Sequence, residues 1–149
     1  MTSQAIPYLC VKDAPRAIAF YVAAFGAREV MRLEEPNGRI GHAELDIDGA
    51  RLMLADEYPE LGITSPITLG GTPVTISLTV ANADHTARQA REAGGTIERE
   101  PKDEFYGDRS ATIRDPFGHR WHVSHRVETL SAEEMQRRYD ALMATGKEC

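Results

Sequence analysis

The sequence has few of the features that mark several large classes of protein. Its two cysteines, Cys10 and Cys149, lie at opposite ends of 149 residues, which argues against a disulfide framework. No apolar run approaches the roughly 20 residues that a membrane-spanning helix needs. The first ten residues contain no basic segment followed by an apolar stretch, so no export signal is visible. We therefore expect a cytoplasmic protein that makes no contact with a membrane.

The sequence also has fewer basic residues than acidic ones. The chain has 17 lysines and arginines against 23 aspartates and glutamates, which gives a net charge of −6. A phosphate-binding surface needs clustered lysine and arginine, so nucleic acid is not an expected partner. Hydrophobic residues at 42% and charged residues at 27% are ordinary values for a globular protein, and the length favours one domain.

A repeat becomes visible when the chain is aligned with itself at one constant offset. A shift of 69 positions superimposes identical residues from one end of the repeat to the other, without a gap and with glycines at predicted turns. The pairs are Leu9 and Leu78, Val11 and Val80, Ala14 and Ala83, Ala24 and Ala93, Gly26 and Gly95, Glu35 and Glu104, Gly38 and Gly107, Asp46 and Asp115, Gly49 and Gly118, and Arg51 and Arg120. A constant register of this length predicts a duplicated structural unit.

Each half of the repeat has the same order of predicted elements. The first strand of each half is a short apolar run. The helix after it has apolar residues spaced so that they lie on one face, and Asp13 and Asn82 are the predicted N-caps of the two helices. Three more strands follow in each half, separated by turn signals such as EPNG and DPFG. The predicted strands are 6–11, 27–34, 39–47 and 50–56 in the first half and 74–80, 96–101, 109–115 and 119–125 in the second. The sequence therefore predicts an α+β fold of two βαβββ modules.

The two modules are expected to share a single domain, residues 1–126, with module bounds near 5–56 and 74–126. Residues 57–73, rich in proline and glycine, form the predicted linker, which is also a candidate flap or a hinge for exchange between chains. Residues 127–149 are predicted to form a C-terminal helix and tail. We expect the apolar stripe of that helix to pack on its own domain or across a dimer contact.

Four segments carry a resemblance to a known family: AIAFYVAAFGA, HAELDIDGARLMLADE, YGDRSATIRDPFGHRW and LSAEEMQRR. Together with the paired modules they resemble the vicinal oxygen chelate superfamily, and within it the PhnB-like branch. That superfamily includes glyoxalase I, extradiol dioxygenases, fosfomycin-resistance enzymes and bleomycin-binding proteins. The resemblance implies an open eight-stranded barrel built by the two modules, with helices outside and a cleft inside. It also implies a homodimer, in some members with modules exchanged between chains.

In the metal enzymes of this superfamily, the resemblance implies four ligand positions on the first and last strands of the modules. In this sequence those positions are Ile6, Met53, Thr75 and His122. Isoleucine cannot bind a metal, threonine is a poor neutral ligand, and a thioether suits soft copper ions. One good ligand does not form a site, so we expect no metal and no other cofactor there. A different site with His42, Glu44 and His122 stays open, since residues 42 and 44 share a strand face.

Three of the five histidines occur within residues 119–125, but alternation along a strand separates them. His119 and His125 are expected on the face that packs against a helix, with Trp121 between them. His122 is expected on the opposite face, in the cleft. There it is a candidate general acid or base near neutral pH, with a hydrogen-bonded structural histidine as the alternative.

Other candidate ligand-binding residues flank the predicted cleft. Tyr106 and Arg109, in the loop EFYGDRS, offer an aromatic wall and an anion-binding fork. The structural alternative is that Arg109 pairs with Asp108 or with the backbone and fixes the loop. Arg120, matched by Arg51 in the first half, is either an anion-binding residue or part of a structural ion pair. The remaining candidates for ligand binding are Met53, His42 and Glu44.

These expectations support three functions. The favoured one is metal-independent binding of a small organic molecule in the cleft between the modules, because apolar or weak residues fill the ligand positions and leave an apolar pocket. The second is a metal-dependent lyase or isomerase, or a dioxygenase, of the glyoxalase type. The third is a metal-free enzyme that uses His122 as its proton carrier.

Overall fold

The computed structural model describes residues 1–146, and Cys149 lies outside the described residues. Eight strands and four helices follow one another along these residues, and within each module their order is the one that the repeat predicts. Their bounds are β1 Tyr8–Val11, α1 Ala14–Phe25, β2 Arg28–Glu34, β3 Ile40–Ile47, β4 Ala50–Asp56, α2 Pro66–Leu69, β5 Thr75–Thr79, α3 Ala83–Glu92, β6 Thr96–Asp103, β7 Asp108–Arg114, β8 Arg120–Arg126 and α4 Ala132–Ala144. A 3-10 turn, Pro59–Leu61, precedes α2 in the linker.

The strands form two sheets of four with the same topology. Sheet 1 has the order β1-β4-β3-β2, and sheet 2 has the order β5-β8-β7-β6. In each sheet the first strand runs parallel to the last, and the other neighbours are antiparallel. Residues 8–56 form module 1 and residues 75–126 form module 2, which confirms the predicted pair of βαβββ units. The two sheets do not close into a barrel within residues 1–146.

The offset of the sequence repeat reappears in the strand register. Tyr8 lies opposite Met53 in sheet 1, and Ser77 lies opposite His122 in sheet 2. Position 77 follows position 8 by 69 residues, and position 122 follows position 53 by the same distance. Met53 and His122 therefore occupy corresponding positions in the two sheets, as they do in the sequence repeat.

The first helix begins and ends where its sequence predicts. The Asp13 carboxylate accepts a hydrogen bond from the backbone N–H of Arg16 at 3.3 Å, which satisfies a free donor of the first turn. Gly26 follows the last turn with φ of 69°, a left-handed conformation that costs glycine little, and its N–H reaches the carbonyls of Tyr21 and Val22. The side chain of Asn82 caps α3 in the same way.

The helices cover one face of each sheet and hold the two modules together. Helix α1 packs on β2, β3 and β4, α3 packs on β6, β7 and β8, and the two helices pack on each other. Aromatic rings extend this contact, because Tyr21 and Phe25 of α1 lie 5.4 and 4.7 Å, between ring centroids, from Trp121 of β8. The Tyr21 hydroxyl also donates a hydrogen bond to the buried carboxylate of Asp115 at 2.5 Å. The main core therefore lies on the helix side of the sheets and spans both modules.

The linker and the C-terminal helix lie on the periphery. Pro66 of the linker approaches Gly118 so closely that a Cβ atom at position 118 would lie 2.8 Å from it. Helix α4 buries none of its side chains fully, although the ring of Tyr139 lies 5.5 Å from that of Phe105 and Arg138 pairs with Glu128. Within residues 1–146, no helix has both the length and the apolar character that crossing a membrane requires.

Candidate functional site

Each sheet has one face that its helix does not cover, which we call its open face. Strand alternation and pairing place on the open face of sheet 1 the side chains of Tyr8, Cys10, Met31, Leu33, His42, Glu44, Arg51 and Met53. The same argument places on the open face of sheet 2 the side chains of Thr75, Ser77, Arg99, Thr112, Arg120 and His122. All of these residues are partly or largely exposed, in contrast to the buried side chains of the helix side.

Four polar side chains on sheet 1 form a continuous hydrogen-bonded chain, which we call the Tyr8–Arg51 chain. The Tyr8 hydroxyl lies 2.6 Å from Nδ1 of His42, and Nε2 of His42 lies 2.9 Å from Oε2 of Glu44. Arg51 donates to Oε1 of the same carboxylate at 2.6 Å. The hydrogen bond from His42 and the charge of Arg51 lower the pKa of Glu44, so this carboxylate is ionised at neutral pH. His42 and Glu44 thus share a face, as alternation predicts.

The two candidate ligand positions of module 1 are apolar. Met53 lies between Tyr8 and Glu44 in the strand register, half-buried on the open face. Ile6, just before β1, is also half-buried and lines a cavity of about 460 Å³ between the modules, together with Leu52, Ile76 and Trp121. Neither side chain is a useful ligand for a hard divalent cation.

His122 occupies the open face of sheet 2, as predicted. Its Nε2 atom lies 3.3 Å from the hydroxyl of Tyr106, and Glu104 and Ser110 line the same cavity of about 200 Å³. Burial raises the pKa of Tyr106, so its phenol stays protonated at neutral pH. A neighbouring cavity of about 450 Å³ has His122 and Arg120 in its wall. The structure therefore brings together three of the predicted site residues.

The other two histidines of this segment bind backbone groups elsewhere. Nε2 of His119 lies 2.9 Å from the carbonyl oxygen of Cys10, so this ring links module 2 to module 1. Nδ1 of His125 accepts a hydrogen bond from the N–H of Ala83, at the start of α3. Of the three histidines only His122 reaches an open face, which confirms the predicted alternation.

The predicted arginines take part in ion pairs. Arg120 pairs with Glu98 at 3.2 Å, and Arg51 pairs with Glu44 at 2.6 Å, so the structural alternative describes both. Arg109 was expected beside the cleft, and this placement is wrong. Its side chain lies on the helix side of sheet 2, where it makes two hydrogen bonds to the carboxylate of Asp84 in α3, at 2.6 and 3.0 Å.

Of the two structural alternatives, Arg109 does not pair with Asp108 but does bind the backbone, because its Nη2 donates to the carbonyl oxygen of Pro101 at 3.5 Å. Asp108 accepts a hydrogen bond from Arg126 at 2.7 Å, on the opposite face of the strand from Arg109. Arg109 pairs with Asp103 as its second partner, at 3.1 Å. Neighbouring residues on a strand point to opposite faces, which disfavours an ion pair between positions 108 and 109.

The residues do not fit the metal that the fold family implies. Of the four ligand positions, Ile6, Met53 and Thr75 lack a strong donor for a hard or borderline ion. The described residues contain no group of three or more histidine, cysteine, aspartate or glutamate side chains arranged to hold one. Within one chain the alternative set is also divided, because His42 and Glu44 lie on sheet 1 and His122 lies on sheet 2.

The predicted cleft residues fall into two groups within one chain. The cavities beside His122 are lined by residues of module 2 alone. A further cavity, of about 410 Å³, lies at the end of the open face of sheet 1, under the linker, and its wall includes Tyr8, Tyr58 and Ile63. Sequence reasoning missed Tyr8, although alternation from Ile6 places it on the same face, and it missed Tyr58 because the linker has no period from which to assign a direction.

Comparisons with known proteins agree with the fold. Residues 4–123 match the family model described as Glyoxalase/Bleomycin resistance protein/Dioxygenase superfamily. Uncharacterized proteins of Mycobacterium bovis and Mycobacterium tuberculosis are 42% identical over 133 residues, covering 87% of this chain and 88% and 78% of their own lengths.

Solved structures give the same result. TioX from Micromonospora sp. ML1 is 27% identical, with a TM-score of 0.64 over 87% of this chain and 100% of its own. The fosfomycin resistance protein FosX from Listeria monocytogenes, complexed with Mn(II) and sulfate, is 18% identical. Its TM-score is 0.64 over 93% of this chain and 98% of its own, a likeness of fold.

Proposed function

Because this chain belongs to the glyoxalase/bleomycin resistance protein/dioxygenase superfamily, we propose that it binds a small organic molecule on its open sheet faces without using a metal ion. The observation that carries the proposal is the chemistry of the ligand positions. Ile6 and Met53 present hydrocarbon and a thioether where metal-dependent members would need nitrogen or oxygen donors.

The open face of sheet 1 has the composition of a small-molecule site. Such sites are mostly apolar, with a few well-placed polar groups that fix the orientation of the ligand. Tyr8, which is 51% exposed, and Leu33, which is 58% exposed, offer apolar surface beside Met53. The polar groups are those of the Tyr8–Arg51 chain, already oriented by its hydrogen bonds. Oriented polar groups cost little entropy on binding.

A homodimer completes the cleft in this proposal. The open face of sheet 1 of one chain and the open face of sheet 2 of a second chain would enclose the ligand, with Met53 and His122 on opposite walls. Their equivalent strand positions support this pairing, because a two-fold arrangement of modules brings equivalent positions together. We also assign the chain to the PhnB-like branch, on the four sequence segments that resemble it.

A ligand screen on metal-depleted protein tests the proposed function. The purified protein is dialysed against a chelator, its metal content is measured by mass spectrometry, and a library of small organic molecules is screened by thermal shift. We expect hits whose affinity is unchanged by the chelator. Met53→Ala should weaken them several-fold by removing apolar contact, whereas Met143→Ala, an exposed methionine of α4, should not. A stoichiometric divalent metal that is required for binding would contradict the proposal.

The pair formed by Tyr106 and His122 favours a second candidate, a metal-free enzyme. A histidine that shares a hydrogen bond with a phenol, beside a cavity, has the geometry of a general acid or base. In that case His122→Ala should abolish turnover of an identified ligand while its binding persists. If the variant and the wild type both bind the ligand and neither converts it, the binding function stands alone.

A further inference from the structure

The cavity under the linker has a size and a lining suited to a small organic molecule. Its volume of about 410 Å³ lies within the usual range for such sites. Apolar side chains from the linker, Leu61 and Ile63, form one wall, and Ala55 of β4 contributes to another. The polar side chains in its wall are those of Tyr8, Cys10, Asp56 and Tyr58. What this cavity can bind therefore depends on whether these four groups donate or accept hydrogen bonds.

The Tyr8–Arg51 chain fixes the direction in which Tyr8 makes its hydrogen bond. Glu44 is ionised and holds Arg51, so its carboxylate accepts the hydrogen bond from Nε2 of His42. We assign to His42 the tautomer that carries its single proton on Nε2, and the lone pair on Nδ1 then accepts from the Tyr8 hydroxyl at 2.6 Å. The proton of Tyr8 is thus committed to His42. Its oxygen keeps two lone pairs and can only accept from a ligand.

The hydroxyl of Tyr58, like that of Tyr8, already has an acceptor for its proton. Burial and the nearby carboxylate of Glu35, to which its hydroxyl is hydrogen-bonded, raise the pKa of Tyr58. The guanidinium of Arg39 lies 3.9 Å above the Tyr58 ring and fixes its plane, while Arg39 itself is paired with Glu35 at 2.6 Å. The Tyr58 hydroxyl rests against Gly41, where a Cβ atom would lie only 3.1 Å from it. Its oxygen therefore also presents lone pairs.

The remaining polar groups of the wall add no strong donor. The oxygens of Asp56 accept hydrogen bonds from the backbone N–H groups of Ala14 and Ile40, each at 2.7 Å. Burial and the carboxylates of Glu57 and Asp56 raise the pKa of the Cys10 thiol, which stays neutral. A neutral thiol is a weak donor.

We propose that the cavity under the linker binds an organic amine in its protonated form, with its apolar body against Leu61 and Ile63 and its ammonium group donating to the oxygen of Tyr8. This inference deepens the proposed function and rests on it. The Tyr8–Arg51 chain makes the cavity selective for hydrogen-bond donors, because the hydroxyl proton of Tyr8 is already used in the hydrogen bond to His42.

A series of three indoles with one apolar body tests this selection. Tryptamine carries an ammonium group, tryptophol a hydroxyl group and indole-3-acetate a carboxylate. Their dissociation constants are measured by calorimetry or by ligand-observed NMR on the intact chain. We expect tryptamine to bind at least about tenfold more tightly than indole-3-acetate, since a charge-assisted hydrogen bond distinguishes them, with tryptophol between.

Two variants locate the effect. Tyr8→Phe removes the accepting oxygen and should reduce the preference for tryptamine, with Tyr139→Phe on α4 as the matched control that leaves it unchanged. His42→Ala leaves Tyr8 in place but removes the acceptor of its hydroxyl proton, so Tyr8 can also donate to a ligand. The ratio of the affinities for tryptamine and indole-3-acetate should therefore fall as well. Both positions are partly exposed, so neither substitution creates a buried cavity.

The outcomes separate this inference from the proposed function. Equal affinity for the three indoles, tighter binding of indole-3-acetate, no binding of tryptamine, or a preference that survives Tyr8→Phe would each overturn the inference. The proposed function fails on different grounds, if the library yields no ligand for the metal-free protein. Library hits that bind beside Met53 or His122 without regard to Tyr8 would keep the function and end the inference.

Discussion

Asp115 shows how a single side chain joins the two modules. The residue is 3% exposed, and its carboxylate accepts four hydrogen bonds. Two come from side chains, the hydroxyl of Tyr21 at 2.5 Å and the indole N–H of Trp121 at 2.9 Å. Two come from the backbone N–H groups of Phe117 and His119 in the turn that follows. A buried charge is tolerated here because donors from both modules surround it.

Asp115→Ala should therefore be one of the most destabilising substitutions in the chain. It leaves the buried hydroxyl of Tyr21 and the indole N–H of Trp121 without their acceptor, and each orphaned group costs free energy. We expect the free energy of unfolding, measured by urea denaturation, to fall by about 3 kcal/mol. Asp48→Asn, in an exposed turn with φ of 46°, should change it by less than about 0.5 kcal/mol. Equal losses would contradict this role.

The same contact predicts a loss of stability in alkali. Burial and the charge of Asp115 raise the pKa of Tyr21 well above its usual value of 10.0. The folded state thus holds this proton more tightly than the unfolded state, so its stabilising effect is complete below the unfolded pKa and declines as pH rises past it. Between about pH 9 and pH 11, unfolding free energies should fall more steeply for the wild type than for Tyr21→Phe. Tyr139→Phe should follow the wild type.

At the level of elements, Gly107 holds the segment between β8 and α4 against module 2. Its carbonyl accepts hydrogen bonds from the N–H groups of Val127 and Glu128, at 2.9 and 3.0 Å, which fixes the chain as it leaves β8. A Cβ atom at Gly107 would lie 2.4 Å from the carbonyl oxygen of Glu128. Its repeat partner, Gly38, has a similar φ of 88° but nothing within 4 Å. The duplicated turn has therefore acquired a second role in module 2.

Gly107→Ala and Gly38→Ala form a matched pair that measures this contact. Both place alanine in the left-handed region, which costs about 1 kcal/mol. Gly107→Ala must also displace the backbone at residues 127–128, and we expect it to cost at least about 1 kcal/mol more in urea denaturation. Limited proteolysis should then cleave residues 127–131 faster in Gly107→Ala than in Gly38→Ala. Identical stabilities and cleavage rates would show that the contact is easily relieved.

The elements themselves were predictable from the sequence, and the reason is the repeat. One offset fixed the order of strands, and alternation from Gly118 correctly assigned His122 to the open face and Trp121 to the core. The polar partners were less predictable. Arg109 was misplaced because its partner, Asp84, is 25 residues away on another element, and no local pattern indicates such a pair. The Tyr8 contact with His42 spans 34 residues and was missed for the same reason.

At the scale of the whole molecule, the sheets are covered on one side only. The helices and the aromatic rings around Trp121 fill the helix side, whereas apolar side chains such as Leu33 and Tyr8 remain exposed on the open face of sheet 1. Exposed apolar surface beside a polar chain is typical of an interface or a ligand site. The proposed homodimer covers both open faces at once.

We expect the chain to be a dimer in solution, with twice the chain mass in light scattering coupled to size exclusion. Leu33→Glu places a charge on the open face of sheet 1 and should shift the protein towards the monomer, because burying an unpaired carboxylate is costly. Val22→Glu, an exposed position of α1, is the matched control and should leave the mass unchanged. A monomeric wild type at micromolar concentration would contradict the proposed pairing.

The parallel pairing of each module's first and last strands has a consequence for biosynthesis. Strand β1 leaves the ribosome well before its hydrogen-bonding neighbour β4, which begins at residue 50, and β5 likewise precedes its neighbour β8, which begins at residue 120. The first strand of each nascent module therefore stays unpaired until the last strand has been synthesised. Contacts between residues so far apart in the sequence slow folding. Premature termination of synthesis inside a module would leave its first strand without a hydrogen-bonding partner, and such an unpaired strand is prone to aggregation.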